Sequence, residues 1–370
     1  MLTEKTIAAP KFFPAAAGKS PENFLAEKFL PTNPLQVSDW DSIIIKHPDF
    51  SFFHSTAWAK VLSETYGYTP NYFVARENDR LDSLLPVMEV NSWLTGRRGI
   101  ALPFTDDCEP FCASANSFKK LFQNAVDFGK SRGWKYLECR GGQNFFDGIT
   151  PSLSFHGHTL NLDGGEEKLF ARLENSVRRA IRKAEKDGVT VEIAQDLAAM
   201  KIFYSLQCKT RKKHGLPPQP FSFFLNIHRH VLSQNLGMVV LARWQNIPVA
   251  ASIYFRLGER AIYKYGASDE AFQHLRGSNL VMWEAIKWHL RKGVRKLHFG
   301  KTSLANDGLR RFKLGWGAEE NKIDYFKYDL HKEKFVGDSD AVSGWHNRLF
   351  RLLPGFASRM AGQMLYRHWA

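Results

Sequence analysis

The chain carries one order of elements twice, and that repetition limits its fold more than any single motif does. Around Tyr72 a strand, Tyr72-Phe73-Val74-Ala75-Arg76, is followed by a polar turn (Glu77-Asn78-Asp79) and a second apolar strand from Leu84 to Val90. Around Met238 the order returns as Met238-Val239-Val240-Leu241-Ala242-Arg243, a turn at Gln245-Asn246, then Val249 to Phe255. Each reads as a hairpin, because apolar and β-branched residues flank a short polar turn. Next, Ser117 to Arg132 spaces Leu121, Phe122, Ala125, Val126 and Gly129 at helical intervals, and Gly133 stops it before a strand from Trp134 to Cys139. Asn279 to Lys292 repeats this with Leu280, Trp283, Ile286, Trp288 and Leu290, and Gly293 precedes a strand from Val294 to Phe299. Gly133 and Gly293 stand 160 residues apart, Ala75 and Ala242 167. Offsets that close point to duplicated α/β (α+β) units, each a mixed β-sheet flanked by helices. The alternative is a common order recurring without shared ancestry.

The repeat sets the expected divisions. Residues 1–36 hold five prolines, at 10, 14, 21, 31 and 34, and read as a flexible arm. The first unit is expected over 37–160 and the second over 161–335. At the start of the second unit a single basic helix is expected over 166–187, between Asp163 or Gly164 and Gly188. Its apolar stripe is Leu169, Leu173, Val177, Ala180, Ile181 and Ala184, and Arg178, Arg179, Arg182, Lys183 and Lys186 crowd the remaining faces. Residues 172–213 carry eleven cations against five carboxylates. Such a face is either a solvated surface or a cradle for phosphates and carboxylates. Residues 336–370 are expected to form a basic amphipathic helix. From residue 341 onward the only charged side chains are Arg348, Arg351, Arg359 and Arg367, mixed with Trp345, Phe350, Phe356, Met360, Met364 and Trp369. That composition suits either a helix packed on the domain or peripheral contact with the inner membrane face.

Composition excludes more than it assigns. Apolar residues at 44% and charged residues at 24% exclude wholesale disorder. No run approaches the 18 or so apolar residues of a membrane-spanning helix. The net charge of +14 favours a polyanionic partner such as nucleic acid, a phosphorylated substrate or an anionic membrane face. Four cysteines (Cys108, Cys112, Cys139, Cys208) are too sparse for a disulfide framework, and the Cys108–Cys112 spacing lacks the four ligands of a zinc site, so no metal is expected. The N-terminus shows no basic segment followed by an apolar stretch, which points to the cytoplasm.

The chemistry-bearing candidates cluster in the second unit. There is no Ser–His–Asp or Cys–His signature, P-loop or dinucleotide fingerprint. Tyr263-Lys264-Tyr265-Gly266-Ala267-Ser268 ends a strand, and His274-Leu275-Arg276-Gly277-Ser278-Asn279 opens the second long helix. A small-residue loop at a helix N-terminus offers free N–H groups to an anion, although Gly-Ser-Asn is also ordinary capping. Further on, Arg310, Arg311 and Lys313 stand beside Phe312 and Gly315-Trp316-Gly317, and burying such cations without a partner is costly.

On these residues the chain resembles the FemAB-like branch of the GNAT acyltransferases, which includes peptidoglycan bridge-forming aminoacyltransferases. The resemblance runs from about Asp49 to about Leu330. It is carried by Ser55-Thr56-Ala57-Trp58-Ala59-Lys60-Val61, Pro103-Phe104-Thr105-Asp106-Asp107, Ser176-Val177-Arg178-Arg179-Ala180-Ile181-Arg182-Lys183-Ala184, Gly277-Ser278-Asn279 and Arg311-Phe312-Lys313-Leu314-Gly315-Trp316-Gly317. It implies two tandem GNAT-like domains and transfer of an acyl or aminoacyl group to an amine on an anionic cell-envelope precursor. It also implies Lys60 and Arg211 on substrate phosphate, with the Arg178, Arg182 and Lys183 face assisting. Lys313, beside Phe312, is implied near the reacting carbonyl. Attack by an amine builds negative charge on that carbonyl oxygen, and a fixed cation or N–H there is worth about 3–4 kcal/mol. Asp106 or Asp107 is expected to take the amine proton or to cap a strand end. Donor binding is expected at Tyr265, Arg276, Gly277, Ser278 and Asn279. No permanently bound cofactor is expected, and the donor stays open between acyl-CoA and aminoacyl-tRNA. The glycine-rich loop of CoA-binding relatives is degenerate here, and the coiled-coil insertion tied to tRNA handling is missing. The competing readings are a non-catalytic GNAT-fold scaffold in envelope assembly and a basic nucleic-acid-binding protein.

Overall fold

The computed structural model describes residues 31–77, 80–338 and 350–369. The arm expected over 1–36 lies outside this set as far as residue 30, and so does the stretch 339–349 with Arg348. The arm's last residues belong to the fold. Pro31–Thr32 (β1) pairs antiparallel with Thr69–Glu77 (β2), and a 3-10 turn at Pro34–Gln36 leads to Trp40–Ile44 (α1) and Thr56–Tyr66 (α2).

The hairpins are where the pattern puts them. β2 pairs with Arg80–Ser92 (β3), which pairs with Gly96–Ile100 (β4). Ala115–Ser131 (α3) follows, then Tyr136–Arg140 (β5) and Leu153–Asn161 (β6). In the second half Thr190–Ala194 (β7), Gly237–Trp244 (β8), Ile247–Leu257 (β9) and Arg260–Ser268 (β10) form an antiparallel run. The apolar run of β8 is buried on both faces. Met238, Val240 and Ala242 join one core while Val239 and Leu241 join another, the two-residue alternation of a strand with cover on each side.

Both long helices end alike. Gly133 and Gly293 are left-handed (φ +69° and +73°), and the next residue's amide reaches back to close the cap, Trp134 to the Gly129 carbonyl and Val294 to the His289 carbonyl. The expected basic helix is instead two, Gly165–Arg172 (α4) and Asn175–Lys186 (α5). Leu173 turns extended and is buried, and the Glu174 amide donates to the Gly315 carbonyl at 3.0 Å rather than continuing the helix. Leu197–Lys213 (α6), Phe221–His230 (α7) and Gly277–Arg291 (α8) complete the helical cover, with α8 following β10 and leading to Lys296–His298 (β11). Thr302–Ser303 (β12), Asp307–Leu314 (α9), Glu319–Asp329 (β13) and Lys334–Val336 (β14) close the second half. The helix expected over 336–370 is corrected. Val336 ends a strand, residues 350–352 are helical, and after the break at Pro354 a separate helix, Gly355–Leu365 (α10), begins.

All the described strands join one mixed sheet, in the order β1-β2-β3-β4-β5-β13-β6-β11-β10-β9-β8-β7, with β12 added on β6 and β14 on β13. The halves exchange their last strands. β13, from the end of the chain, pairs with β5 of the first half, and β6, from the first half, pairs with β11 of the second. β13 and β6 also pair with each other. A cut at residue 160 therefore does not separate two sheets, and the two-unit division with its boundaries stays a proposal. One core under α2, α6 and α7 draws on both halves, with Leu84, Met88 and Ile100 beside Val239, Ile253 and Phe255.

Each half expressed alone, residues 31–162 or 163–338, leaves unpaired strand edges and should lack cooperative thermal unfolding and near-UV dichroism. Co-expression should return one soluble complex. A monomeric first half that unfolds cooperatively would contradict the exchange.

Candidate active site

Two places in the sheet have parallel neighbours. β4 meets β5 through Gly99–Leu137 and Ile100–Glu138, and β10 meets β11 through Arg260–Lys296 to Ile262–His298. Beyond these short pairings the chains part, and loops at the carboxyl ends of parallel strands are where α/β sheets place ligands. The loop after β4 enters this space under strain. Leu102 and Phe104 have φ of 48° and 61°, a left-handed region that side chains disfavour. It is held by the Thr105 hydroxyl donating to the Leu102 carbonyl at 2.6 Å and by the Tyr325 hydroxyl of β13 donating to the Asp106 carbonyl at 2.8 Å.

Asp106 and Lys264 form a buried ion pair at 2.8 Å that joins the two halves. Burial alone would raise the Asp106 carboxyl, but the Lys264 ammonium, with Lys301 behind it, holds it below its usual range. Lys301 donates to the Tyr325 hydroxyl at 3.1 Å and lies over the rings of Phe155 and Tyr325. Lys313, on α9, is 3% exposed and donates to the carbonyls of Gly300 and Lys301 at 2.8 and 3.1 Å. Burial pulls both Lys301 and Lys313 down to about 8. Gly300 is left-handed (φ +72°) and so close to Asp106 that a Cβ there would sit 3.3 Å from its carboxylate. The Gly300 amide donates to His298 Nδ1 at 3.1 Å, which puts the ring proton on Nε2, buried and without a protein partner. Burial lowers His298 to about 4, so it is neutral.

A cavity of about 240 Å³ opens beside this cluster, lined by Phe53, Asp107, Glu109, Arg260, His298 and Asn321 among others. Asp107 differs from Asp106. Burial, then the charges of Glu109 and Asp106, push its carboxyl well up, and Oδ1 has no hydrogen-bond partner. Glu109 is raised as well, chiefly by burial. Asp106 is thus a fixed anion, while burial and the neighbouring carboxylates favour the protonated form of Asp107. Glu109, Lys264, His298 and Lys301 were not among the expected site residues. The signal for them is spatial, since they stand on separate strands and loops.

The other expected residues divide. The N-terminus of α8, without a side-chain cap, borders a cavity of about 270 Å³ lined by Ser268, Asp269, Arg276, Gly277, Ser278 and Asn279. Tyr265 does not join them. A bulge between Tyr263 and Tyr265 breaks the two-residue alternation, so Tyr265 packs with Phe203 and Phe224 under α6 and α7, across the sheet from α8. Phe312 packs edge-on against buried Trp316. Lys60 is exposed on α2. Arg211 holds protein rather than open space, donating to the Tyr366 hydroxyl at 2.6 Å and the Pro217 carbonyl. On α5, Arg178 donates to Asn175, Arg182 lies over the Phe170 ring, and Lys183 pairs with Asp187 at 2.6 Å. Among the described residues no three His, Cys, Asp or Glu side chains converge on a metal-sized site.

The Asp107 environment has a stability consequence. A carboxyl whose pKa is higher folded than unfolded binds more protons when folded, so stability drains away as pH rises from about 4 towards the folded value. Asp107→Asn removes that loss. It should raise Tm by about 2–4 °C at pH 8, with the gain shrinking towards pH 4 in calorimetric scans. An equal difference at both pH values would contradict the raised carboxyl.

Residues 171–327 match the acetyltransferase (GNAT) domain family. Over 79 residues the chain is 35% identical to the aminoacyltransferase FemA of Staphylococcus aureus; that match spans 20% of this chain and 19% of the relative. In fold it is similar to FemX (TM-score 0.63, 16% identity, 77% of this chain and 94% of the other). It is similar to a tandem GNAT protein from the clavulanic acid biosynthesis pathway (TM-score 0.50, 10% identity, 84% and 99%). The same holds for the C-terminal domain of a putative lysylphosphatidylglycerol synthetase from Agrobacterium fabrum (TM-score 0.50, 14% identity, 77% and 89%). Identities this low speak for the fold alone. Residues 171–327 thus carry a GNAT acetyltransferase domain, and the partial likeness to FemA in sequence and to FemX in fold supports placing it in the FemAB-like branch.

Proposed function

We propose that the protein is an N-acyltransferase that moves an acyl or aminoacyl group from an ester or thioester donor to an amine of an anionic cell-envelope precursor. The observation that carries this is the buried cluster between the halves. Three ammonium groups, Lys264, Lys301 and Lys313, surround one fixed carboxylate, Asp106. Buried cations in excess of their counter-ions are stable only if a further anion offsets them. The oxyanion formed when an amine attacks a carbonyl is such an anion.

The step needs four parts. The amine nitrogen forms a bond to the carbonyl carbon, and the oxygen becomes negative. Two protons of the Lys313 ammonium sit on backbone carbonyls, which leaves the third N–H for that oxygen. Asp107, ionised, takes the proton that the amine must lose. The carbonyl re-forms as the C–S or C–O bond to the donor breaks. The Asp106–Lys264 pair and His298 hold the Gly300 turn that seats Lys313, so they position rather than react.

The donor has a track to follow. From Lys264 to Ser268 strand β10 rises about 13 Å, and it ends at the cavity beside the α8 N-terminus, where free amides suit a phosphate. An extended donor with an acyl group at one end and phosphate at the other, such as an acyl-CoA, fits that track. Aminoacyl-tRNA has no comparable feature in its favour among the described residues. Lys60 is offered for acceptor phosphate, and Arg211, occupied by Tyr366, is assigned to structure.

Lys313→Ala should lower kcat by about 10²–10³-fold with KM for the donor little changed. Full activity in this variant would sink the assignment. The wild-type rate should fall as pH rises through about 8, where Lys301 and Lys313 lose their protons. A rate that keeps climbing to pH 10 would show that no ammonium is needed. Mass spectrometry of the purified protein under native conditions should reveal a CoA species in the donor track; a bound aminoacyl-tRNA would reassign the donor.

A further inference from the structure

Helix α10 sits on the body in reverse of an ordinary surface helix. Its small residues face in and its large apolar ones face out. Ser358 and Gly362 are buried, and Gly362 lies so close to α10's neighbour that a Cβ there would be 1.9 Å from the Pro218 carbonyl oxygen. Beyond the helix, Tyr366 and His368 are locked in place. The Arg211 guanidinium donates to the Tyr366 hydroxyl, Ser92 and the His368 ring share a hydrogen bond of 2.8 Å, and Arg98 donates to the His368 carbonyl at 2.8 Å. The segment is therefore firmly seated, and its outward face is a fixed surface.

That face is a stripe of Phe356, Met360 and Met364 at four-residue intervals, with Leu352 ahead of the Pro354 break, each more than half exposed. At its end stand Trp369 and the β3–β4 turn, where Trp93 is 84% exposed and sits edge-on to the His368 ring, 5.5 Å between centroids, next to exposed Leu94. An apolar stripe of this extent in water marks a contact surface. Its charge selects the occupant. Arg351, Arg359 and Arg367 are exposed along the same segment, and the sequence from residue 341 to 370 has no acidic side chain. A second copy would bring arginines against arginines. An apolar layer beneath anionic groups matches both properties. At 11 residues α10 is about 16 Å long, far short of a span, so it would lie in the plane. Among the described residues no helix is long and apolar enough to cross a membrane.

We propose that this face is a membrane-docking surface, in which Leu352, Phe356, Met360, Met364, Trp93 and Leu94 enter the interface of a bilayer rich in anionic phospholipid while the arginines meet its headgroups. The proposal does not depend on the acyl-transfer reading. It is tested by sedimenting the full chain with vesicles of phosphatidylcholine alone or with 30% phosphatidylglycerol. Binding to the anionic vesicles should be at least about 10-fold tighter and should weaken between 0.1 and 0.5 M salt. Met360→Glu with Met364→Glu should remove that binding while leaving Tm unchanged, since both side chains are exposed. Arg351→Gln with Arg359→Gln should cost roughly 5-fold per arginine on anionic vesicles only. No vesicle binding, equal binding to both compositions, or binding that survives the double glutamate variant would overturn the proposal. So would a dimer in solution that the glutamate variant dissolves without any lipid binding, which would make the stripe a self-association surface.

Discussion

One largely buried ion pair ties the two halves of the molecule together. Asp106 comes from the loop after β4 and Lys264 from β10, and they meet at 2.8 Å, largely shielded from water. A buried pair of this kind adds little net stability, but losing one member costs about 3–5 kcal/mol because the other charge is stranded. Here the imbalance would be worse, since Lys301 and Lys313 bear on the same carboxylate. The left-handed backbone at Leu102 and Phe104, about 1–3 kcal/mol each, delivers Asp106 to that place. Local strain and buried charge are thus two sides of one arrangement, offset by the cores on either side.

The exchanged strands explain why the arrangement is rigid. β13 sits between β5 and β6, and β6 sits between β13 and β11, so the halves share hydrogen-bond ladders rather than facing each other across a linker. Tyr325 on β13 reaches the first-half loop and the second-half Lys301 at once. Groups aimed at a developing charge stabilise it most when they need not reorganise, and a continuous sheet supplies that fixity.

Much of this was legible along the chain. The hairpins, both long helices and their terminal glycines follow from periods of 2 and 3.6 and from turn chemistry within a few residues. The failures share a cause. The break at Leu173–Glu174 depends on the Gly315 carbonyl, far along the chain, and nothing in the local stripe of apolar residues announces it. Tyr265 changes face because of a one-residue bulge that a run of alternating residues does not show. Arg211 looked like a phosphate ligand among cations, yet its nearest acceptor is Tyr366, near the other end of the chain.

The sequence by itself determined that one order of elements recurs, that helices cover mixed strands, and that the stretch from residue 341 on is basic and apolar, because each of these rests on short-range periodicity and composition. Only the tertiary structure decided that the units trade strands, that Asp106 is a locked anion while the carboxyl of its neighbour Asp107 is pushed up, and that α10 turns its large side chains outward. Those outcomes depend on burial and on charges brought together from distant positions. Desolvation and Coulomb interactions act through space, so adjacent aspartates of the same type can be driven in opposite directions.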